Sequence, residues 1–284
     1  MGYEDRCIRP LSCPVCGEGL TLMERAFVCG HRHAFDMARE GYVNLLLPGR
    51  KRPKIRGDTK VMLQARRRFL EMGYYGPLSR AVNEQVAARL GGQTAVTIVD
   101  AGCGEGWYLG QLQQRLADVT GCFFGVDVAK SAVQMAAKRY PAAQFVVADV
   151  WQKLTFADAS VAVLLNLFAP RRAAEFARVL APGGLLLIVI PQPHHLQQLG
   201  ERLGLLDIEA EKQQKVVAQL ADSFALQAIE PVTIEMDLDR TALANLVQMT
   251  PNYWHWTTAV QDRLAALVHE QVTAAFEILV FNIT

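Results

Sequence analysis

Side chains able to ligate a metal crowd the start of this 284-residue chain. Residues 12–33 read S-C-P-V-C-G-E-G-L-T-L-M-E-R-A-F-V-C-G-H-R-H. Cys13 and Cys16 have the spacing of a metal knuckle, two thiolates reaching one ion from a tight turn that Gly17 helps to form. Leu20 to Val28 reads as a short hairpin that returns the chain to Cys29, with His33 four residues later. Cys13, Cys16, Cys29 and His33 complete a closed tetrahedral Cys₃His set, the pattern of structural zinc, with His31 as the competing fourth ligand. A closed shell leaves no position for a substrate, so this ion folds a ribbon and does no chemistry. The alternative is a plain hairpin of reduced cysteines, but so short a segment can hardly build a core without a staple. The N-terminus, M-G-Y-E-D-R-C, has no apolar signal core. A cytoplasmic location is therefore expected, and there clustered cysteines bind metal rather than form disulfides.

The second chemical stretch is Val96 to Tyr108, V-T-I-V-D-A-G-C-G-E-G-W-Y. An apolar strand runs into Asp100, then Gly102, Gly104 and Gly106 alternate with other residues before a helical pattern begins. Glycine lets the backbone turn sharply and lets a ligand approach it closely. The spacing is D-x-G-x-G-x-G, which does not fit the G-x-G-x-x-G that seats a dinucleotide pyrophosphate on a helix N-terminus. The third is a run of charge. Arg50 to Arg68 holds nine basic residues (Arg50, Lys51, Arg52, Lys54, Arg56, Lys60, Arg66, Arg67 and Arg68) against one acid, Asp58. This segment carries +8 and leaves −7 for the rest of a chain whose net charge is +1. A local positive patch on an acidic protein points to a polyanion; a solvated loop is the bland alternative.

The elements that position these groups follow from periodicity. Hydrophobic residues make up 51% of the chain and charged residues 20%, enough for a sizeable core. No apolar run reaches the roughly 18 residues that span a bilayer. Pro48, Gly49 and Pro53 break the basic stretch into a loop, after which Lys60 to Met72 and Ser79 to Leu90 read as helices. From Val96 strands and helices alternate. Strands are expected at Val96–Val99, Cys122–Val126, Gln144–Val147, Ser160–Leu165 and Leu185–Ile190, the last continuously apolar as in a strand buried on both faces. Helices are expected from Trp107, over Ala129–Arg139 and over Arg172–Leu180. Strand Leu226–Asp237, helices Thr241–Gln248 and Thr258–Val272, and strand Phe276–Ile283 close the chain, the last two strands pairing antiparallel. This is an α/β fold, a Rossmann-like sheet of seven strands behind a small zinc ribbon. The expected divisions are a ribbon over 1–47, a basic loop and helical linker over 48–92, and a catalytic domain over 93–284.

Ligands in such sheets sit beyond the carboxyl ends of the strands. Asp127 ends the second strand, where an acid can accept hydrogen bonds from ribose hydroxyls; Asp149 follows the third. Either could instead cap the next helix. Asn166-Leu-Phe-Ala-Pro170 and Pro191 to His195 would form the floor and wall of the cleft, and Met249 to Trp256 adds a loop rich in aromatics. Phe168, Tyr253 and Trp254 are candidates to stack on a base, though the aromatic loop could equally plug two helices.

The glycine stretch resembles the first motif of class I S-adenosylmethionine-dependent methyltransferases. The ribbon and the run H-x-F-D-M-A-x-E-G-Y-V-N-L-L from His33 resemble bacterial large-subunit rRNA guanine-N1 methyltransferases, housekeeping and macrolide-resistance members alike. The resemblance continues in Gly57-Asp58, in Met62 to Leu70, in Gly73 to Leu78, and in Gln248-Met-Thr-Pro251 with Trp254. It implies transfer of a methyl group from S-adenosylmethionine to N1 of a guanine in a hairpin of 23S rRNA, with no role for DNA or a membrane. A homodimer is left open. It also implies a cofactor site of Tyr75, Asp100, Gly102, Gly104, Glu105, Asp127, Asp149, Val150 and His195. Tyr75 would close over the methyl donor, and Asp149 with the Val150 amide would hold the adenine. Asn166 and Phe168 are the expected catalytic contacts, although N-L-F-A-P departs from the family pattern at Asn166. The RNA would meet Arg50, Lys51, Arg52, Lys54, Arg56, Arg66, Arg67, Arg68, Tyr253 and Trp254. A small-molecule methyltransferase would have no need of ribbon and arginines, and a non-catalytic RNA-binding module would have no need of intact cofactor motifs.

Overall fold

The computed structural model describes residues 10–47, 58–90, 95–205, 209–255 and 257–284. Its first unit is an antiparallel sheet of β1 (Leu20–Met23), β2 (Ala26–Cys29) and β3 (Ala34–Asp36). The turn between β1 and β2 puts Glu24 at φ 55. The chain then gives a two-residue strand, β4 (Val43–Asn44), and two helices, α1 (Lys60–Glu71) and α2 (Gly76–Leu90). Thr59 caps α1 by accepting the Met62 amide, which fixes where the helix begins.

The α/β part runs β5 (Val96–Ala101), α3 (Trp107–Arg115), β6 (Gly121–Asp127), α4 (Lys130–Arg139), β7 (Gln144–Val147), β8 (Val161–Leu167), α5 (Ala173–Val179) and β9 (Leu180–Pro191). After it come α6 (Gln197–Leu203), α7 (Lys212–Leu220), β10 (Phe224–Asp239), α8 (Arg240–Gln248), a 3₁₀ turn (Pro251–His255), α9 (Thr258–Ala266) and β11 (His269–Ile283). The large sheet has the order β10-β11-β9-β8-β5-β6-β7-β4, with β4 to β9 parallel and β10 and β11 antiparallel. The chain winds outward from β5 in one direction and from β8 in the other, so the cleft opens where their carboxyl ends part.

Three expectations need correction. The sheet has eight strands and not seven, because β4 pairs in parallel with β7, Val43 opposite Val146. The ribbon, with its own three-stranded sheet, packs on the large one. The Ser12 amide donates to the Thr155 carbonyl, Leu11 bridges Phe156, and Leu11, Phe27 and Val43 share a core with Val99 and Phe124. The helix expected to run to Val272 stops at Ala266, and the following strand starts at His269. Its β-branched Val272 is fully buried opposite Met236, and this long-range pairing outweighs local helix propensity. Helices α6 and α7 occupy a stretch in which no element was expected.

Candidate active site

The four expected ligand atoms of the ribbon, from Cys13, Cys16, Cys29 and His33, all lie within 4.8 Å of one another. Cys16 Sγ is 3.7 Å from Cys29 Sγ. His33 Nδ1 is 3.3 Å from Cys29 Sγ and 3.6 Å from Cys13 Sγ. A tetrahedron with metal–sulfur bonds of about 2.3 Å has edges of about 3.8 Å, so this cluster fits one zinc ion without rearrangement. His31 turns outward, its Nδ1 3.5 Å from Glu18.

A single cavity of about 2290 Å³ joins this knuckle to the carboxyl ends of the parallel strands, with Pro14 and Val15 on one wall and Phe168 and Pro170 on another. Small-molecule sites commonly occupy about 300–1,000 Å³. The space here takes a cofactor together with a much larger substrate. Of the residues expected to hold the cofactor, Tyr75, Gly102, Gly104, Glu105, Asp127, Asp149, Val150 and His195 line it. Asp100 does not: it is buried behind the loop.

The loop after β5 fits the expected cofactor by its shape and by its donor set. Gly102 has φ +94, and a Cβ there would lie 2.2 Å from the Ala169 Cβ, so no side chain fits between the strand-β5 and strand-β8 loops. Asp127 Oδ2 accepts the Gly104 amide at 2.9 Å and its Oδ1 accepts the Ala129 amide at 2.8 Å. One carboxylate therefore ties the loop to the start of α4 while still facing the cavity. Burial pushes its pKa up and the two amides pull it back. Asp149 Oδ1 accepts the Trp151 amide at 2.9 Å. Glu105 Oε1 and Asp100 Oδ1 are buried without a hydrogen-bond partner, and a ligand bearing an ammonium group would relieve Glu105, which lines the cavity. Burial first, and then the Asp127 charge, raise Asp100 to about 7.

Aromatic rings form the opposite wall. Tyr75 packs edge-on against Phe69 and Phe276, and burial raises its hydroxyl well above the ordinary range. His195 lies 4.5 Å from Phe276 between ring centroids. Its Nδ1 accepts the Ala275 amide at 3.1 Å, which leaves Nε2 as the protonated nitrogen of the neutral ring. Burial lowers its pKa to about 4, so it stays neutral. Phe168 stands 45% exposed at the mouth with φ 56, a left-handed conformation that a bulky residue adopts only under constraint.

Asn166 and the arginines lie elsewhere than expected. Asn166 is fully buried; its amide donates to the Ala101 and Pro170 carbonyls at 2.9 and 2.8 Å and its Oδ1 accepts from Arg171. It braces the loop that presents Phe168 and does not line the cavity. Arg66, Arg67 and Arg68 do not form one RNA-facing patch, because each is turned onto the protein. Arg66 pairs with Asp58 and donates to the Met249 carbonyl at 2.9 Å. Arg67 donates to Glu105 Oε2 at 3.3 Å and to the Met135 carbonyl at 3.2 Å. Arg68 donates to Asn245 Oδ1 on α8 at 3.0 Å. Arg50, Lys51, Arg52, Lys54, Arg56 and Trp256 lie outside the described residues. Tyr253 and Trp254 sit on the 3₁₀ turn, their rings 5.3 Å apart and edge-on, beside the Thr250–Asn252 rim of the cavity. Sequence reasoning missed Arg171 and Lys212, two half-buried cations on the cavity wall, since single basic residues in polar stretches carry no local signal.

Comparison with known proteins agrees with this geometry. Residues 11–54 match the zinc-ribbon family described as RlmA, N-terminal, and residues 98–184 match a methyltransferase domain. A Streptomyces fradiae protein named 23S rRNA (guanine(748)-N(1))-methyltransferase is 38% identical over 248 residues, 87% of each chain. A Micromonospora griseorubida relative, provisionally assigned to the 23S rRNA guanine-N1 class, is 39% identical over 93% of each chain. Among solved structures, a chain of the complex between the Haloferax volcanii Trm112 methyltransferase activator and a provisionally assigned methyltransferase superposes with a TM-score of 0.51. Its identity is 19%, over 80% of this chain and 99% of that one, a likeness of fold alone.

Proposed function

The chain belongs to the 23S rRNA (guanine-N1)-methyltransferase family, and from that premise we propose how its cleft methylates N1 of one guanine presented in an RNA hairpin. The observation that carries the reading is the continuity of one cavity from the metal knuckle, past the glycine loop, to the exposed ring of Phe168. A small-molecule enzyme needs no such span, and a binding module needs no Gly102 pressed against Ala169. The substrate in this reading is cytoplasmic RNA and not DNA.

Bound S-adenosylmethionine supplies an electrophilic methyl group on a sulfonium. Asp127 would take the ribose hydroxyls with the lone pairs left by its two amide bonds. Asp149 and the Val150 amide would hold the adenine edge. Glu105 and the loop around Gly102 and Gly104 would meet the methionine end, with an Arg66 guanidinium nitrogen 3.2 Å from where a Gly104 Cβ would stand. Asp100 would act from behind the loop as a positioning acid.

N1 lies on the Watson–Crick edge of guanine, so the base must leave its stack before it can react. Phe168 would carry the extruded ring on its exposed face, with Asn166 bracing its loop from below. Tyr75 and His195, both seated on Phe276, would pack around the transferring methyl. His195 has its Nδ1 taken by a backbone amide and a low pKa, which makes it an orienting donor and not the base that removes the N1 proton. The catalytic gain in this arrangement is placement of the methyl in line with N1.

The test is transfer of labelled methyl to naked 23S rRNA, 16S rRNA and transfer RNA, followed by reverse transcription. N1-methylguanine blocks pairing, so one stop at one guanine of 23S rRNA is the expected result. Label without a stop would mean that another atom is the target.

A further inference from the structure

We propose that Arg171 and Lys212 together bind a backbone phosphate of the RNA beside the guanine being methylated. The proposal rests on the rRNA reading above and adds residues that the sequence patch did not include.

Both side chains line the cavity, Arg171 directly after the Phe168 loop and Lys212 in the first turn of α7. Both are half-buried, and among the described residues neither has a carboxylate partner. Among the described residues, Glu209 is the acid whose charge bears on Lys212, and its carboxylate is ion-paired with Lys215. Arg171 spends its Nε on Asn166 Oδ1 at 3.3 Å and one terminal nitrogen on the Ala169 carbonyl at 3.5 Å, which leaves the rest of its fork without an acceptor among the described residues. Burial lowers the pKa of each, and the Arg171 charge lowers Lys212 further. Two cations held out of water and repelling one another are unfavourable until an anion sits between them.

The position identifies the anion. Lys212 lies close enough to His195 for its charge to bear on that ring, and His195 shares Phe276 with Phe168. A base stacked on Phe168 would bring its own backbone toward these cations; Asp127 and Asp149 lie on the cofactor walls, and Glu201 and Glu209 also line the cavity. A planar fork beside a point charge suits phosphate oxygens better than a neutral ligand. Because Arg171 is also bonded to the Phe168 loop through Asn166 and Ala169, phosphate binding would set the position of the ring that carries the base.

The test is the salt dependence of binding for the full chain with zinc, using hairpins of 23S rRNA. Lys212→Gln and Arg171→Gln should each weaken RNA binding about tenfold at fixed salt. Each should also lower the slope of log affinity against log salt by about 0.7 to 0.9, the share of one released counterion. Lys212→Arg should keep the wild-type slope, and S-adenosylmethionine affinity should stay within twofold in every variant. A structural role would not move the slope. An active wild type with unchanged slopes in both glutamine variants overturns the proposal, as does a matching loss of cofactor affinity. A wild type that binds cofactor but neither binds nor methylates the hairpins overturns the rRNA reading, and this pairing with it.

Discussion

Two groups of basic side chains near one cleft stand in opposite conditions. At the glycine loop, Arg66 and Arg67 each meet a carboxylate and a backbone carbonyl, with side chains 27% and 28% exposed. Beyond Phe168, Arg171 and Lys212 line the cleft with no ion pair to a carboxylate among the described residues, although Glu201 and Glu209 line it too. The first pair clamps: α1 is fastened over the cofactor loop and to the turn before Pro251. The second pair awaits an anion. A basic residue thus reports on a polyanion only after its own partners have been counted.

This contrast can be broken by substitution. The largest effect is expected at the boundary between the two ends. Phe168→Gly should reduce methyl transfer at saturating cofactor by about 10²-fold, through loss of placement. It should leave stability unchanged or raise it by about 1 kcal/mol, since glycine relieves the left-handed backbone. Turnover assays beside denaturant titrations separate the two, and a variant that kept full turnover would remove Phe168 from the reaction. Next, Arg67→Ala strands the Glu105 carboxylate in a buried site and should cost about 2 kcal/mol of stability, less than for a fully buried pair because Arg67 is partly exposed. The double variant with Glu105→Ala should lose less than the two single losses summed. Strict additivity would mean that the clamp is not energetically coupled.

Arg66→Ala should weaken S-adenosylmethionine about tenfold by calorimetry, about 1.4 kcal/mol, with no change in the salt slope of RNA binding. A fall in that slope would return Arg66 to the RNA surface and erase the contrast. The smallest effect is on pH. His195, lowered from 6.5 to about 4, makes the fold more stable as pH rises through that window, because the unfolded chain binds the extra proton. Asp100, raised from 3.8 to about 7, does the reverse, because there the folded chain holds the proton. The two oppose each other between pH 5.5 and 6.5. His195→Gln should leave a protein that loses about 1 kcal/mol over that interval, and Asp100→Asn one that gains about as much. Denaturant midpoints at both pH values check the signs.

What the sequence made legible was local. The Cys₃His spacing, the strand-to-glycine transition and the acids ending β6 and following β7 all depend on residues a few positions apart, and each lies where its pattern placed it. The arginine directions depend on packing. Three consecutive helical residues fan over about 200°, so Arg66, Arg67 and Arg68 could not share a face once α1 had neighbours on both sides. Helices α6 and α7 did leave a trace, in the i, i+4 pairs Leu199 with Leu203 and Val216 with Leu220, all buried. That trace is short and set among glutamines and charges. Asn166 was legible as a polar residue at a strand end, but whether it faced the ligand or the loop behind was decided by the Ala101 and Pro170 carbonyls.

The two-residue strand β4 carries a consequence beyond geometry. All four residues of β7 are buried, and without Val43 and Asn44 its outer backbone would lie open as an unpaired, apolar sheet edge. Such edges recruit strands from other molecules. If loss of the ribbon metal also freed β4, the expected result would be self-association along β7, read by light scattering of the metal-stripped chain.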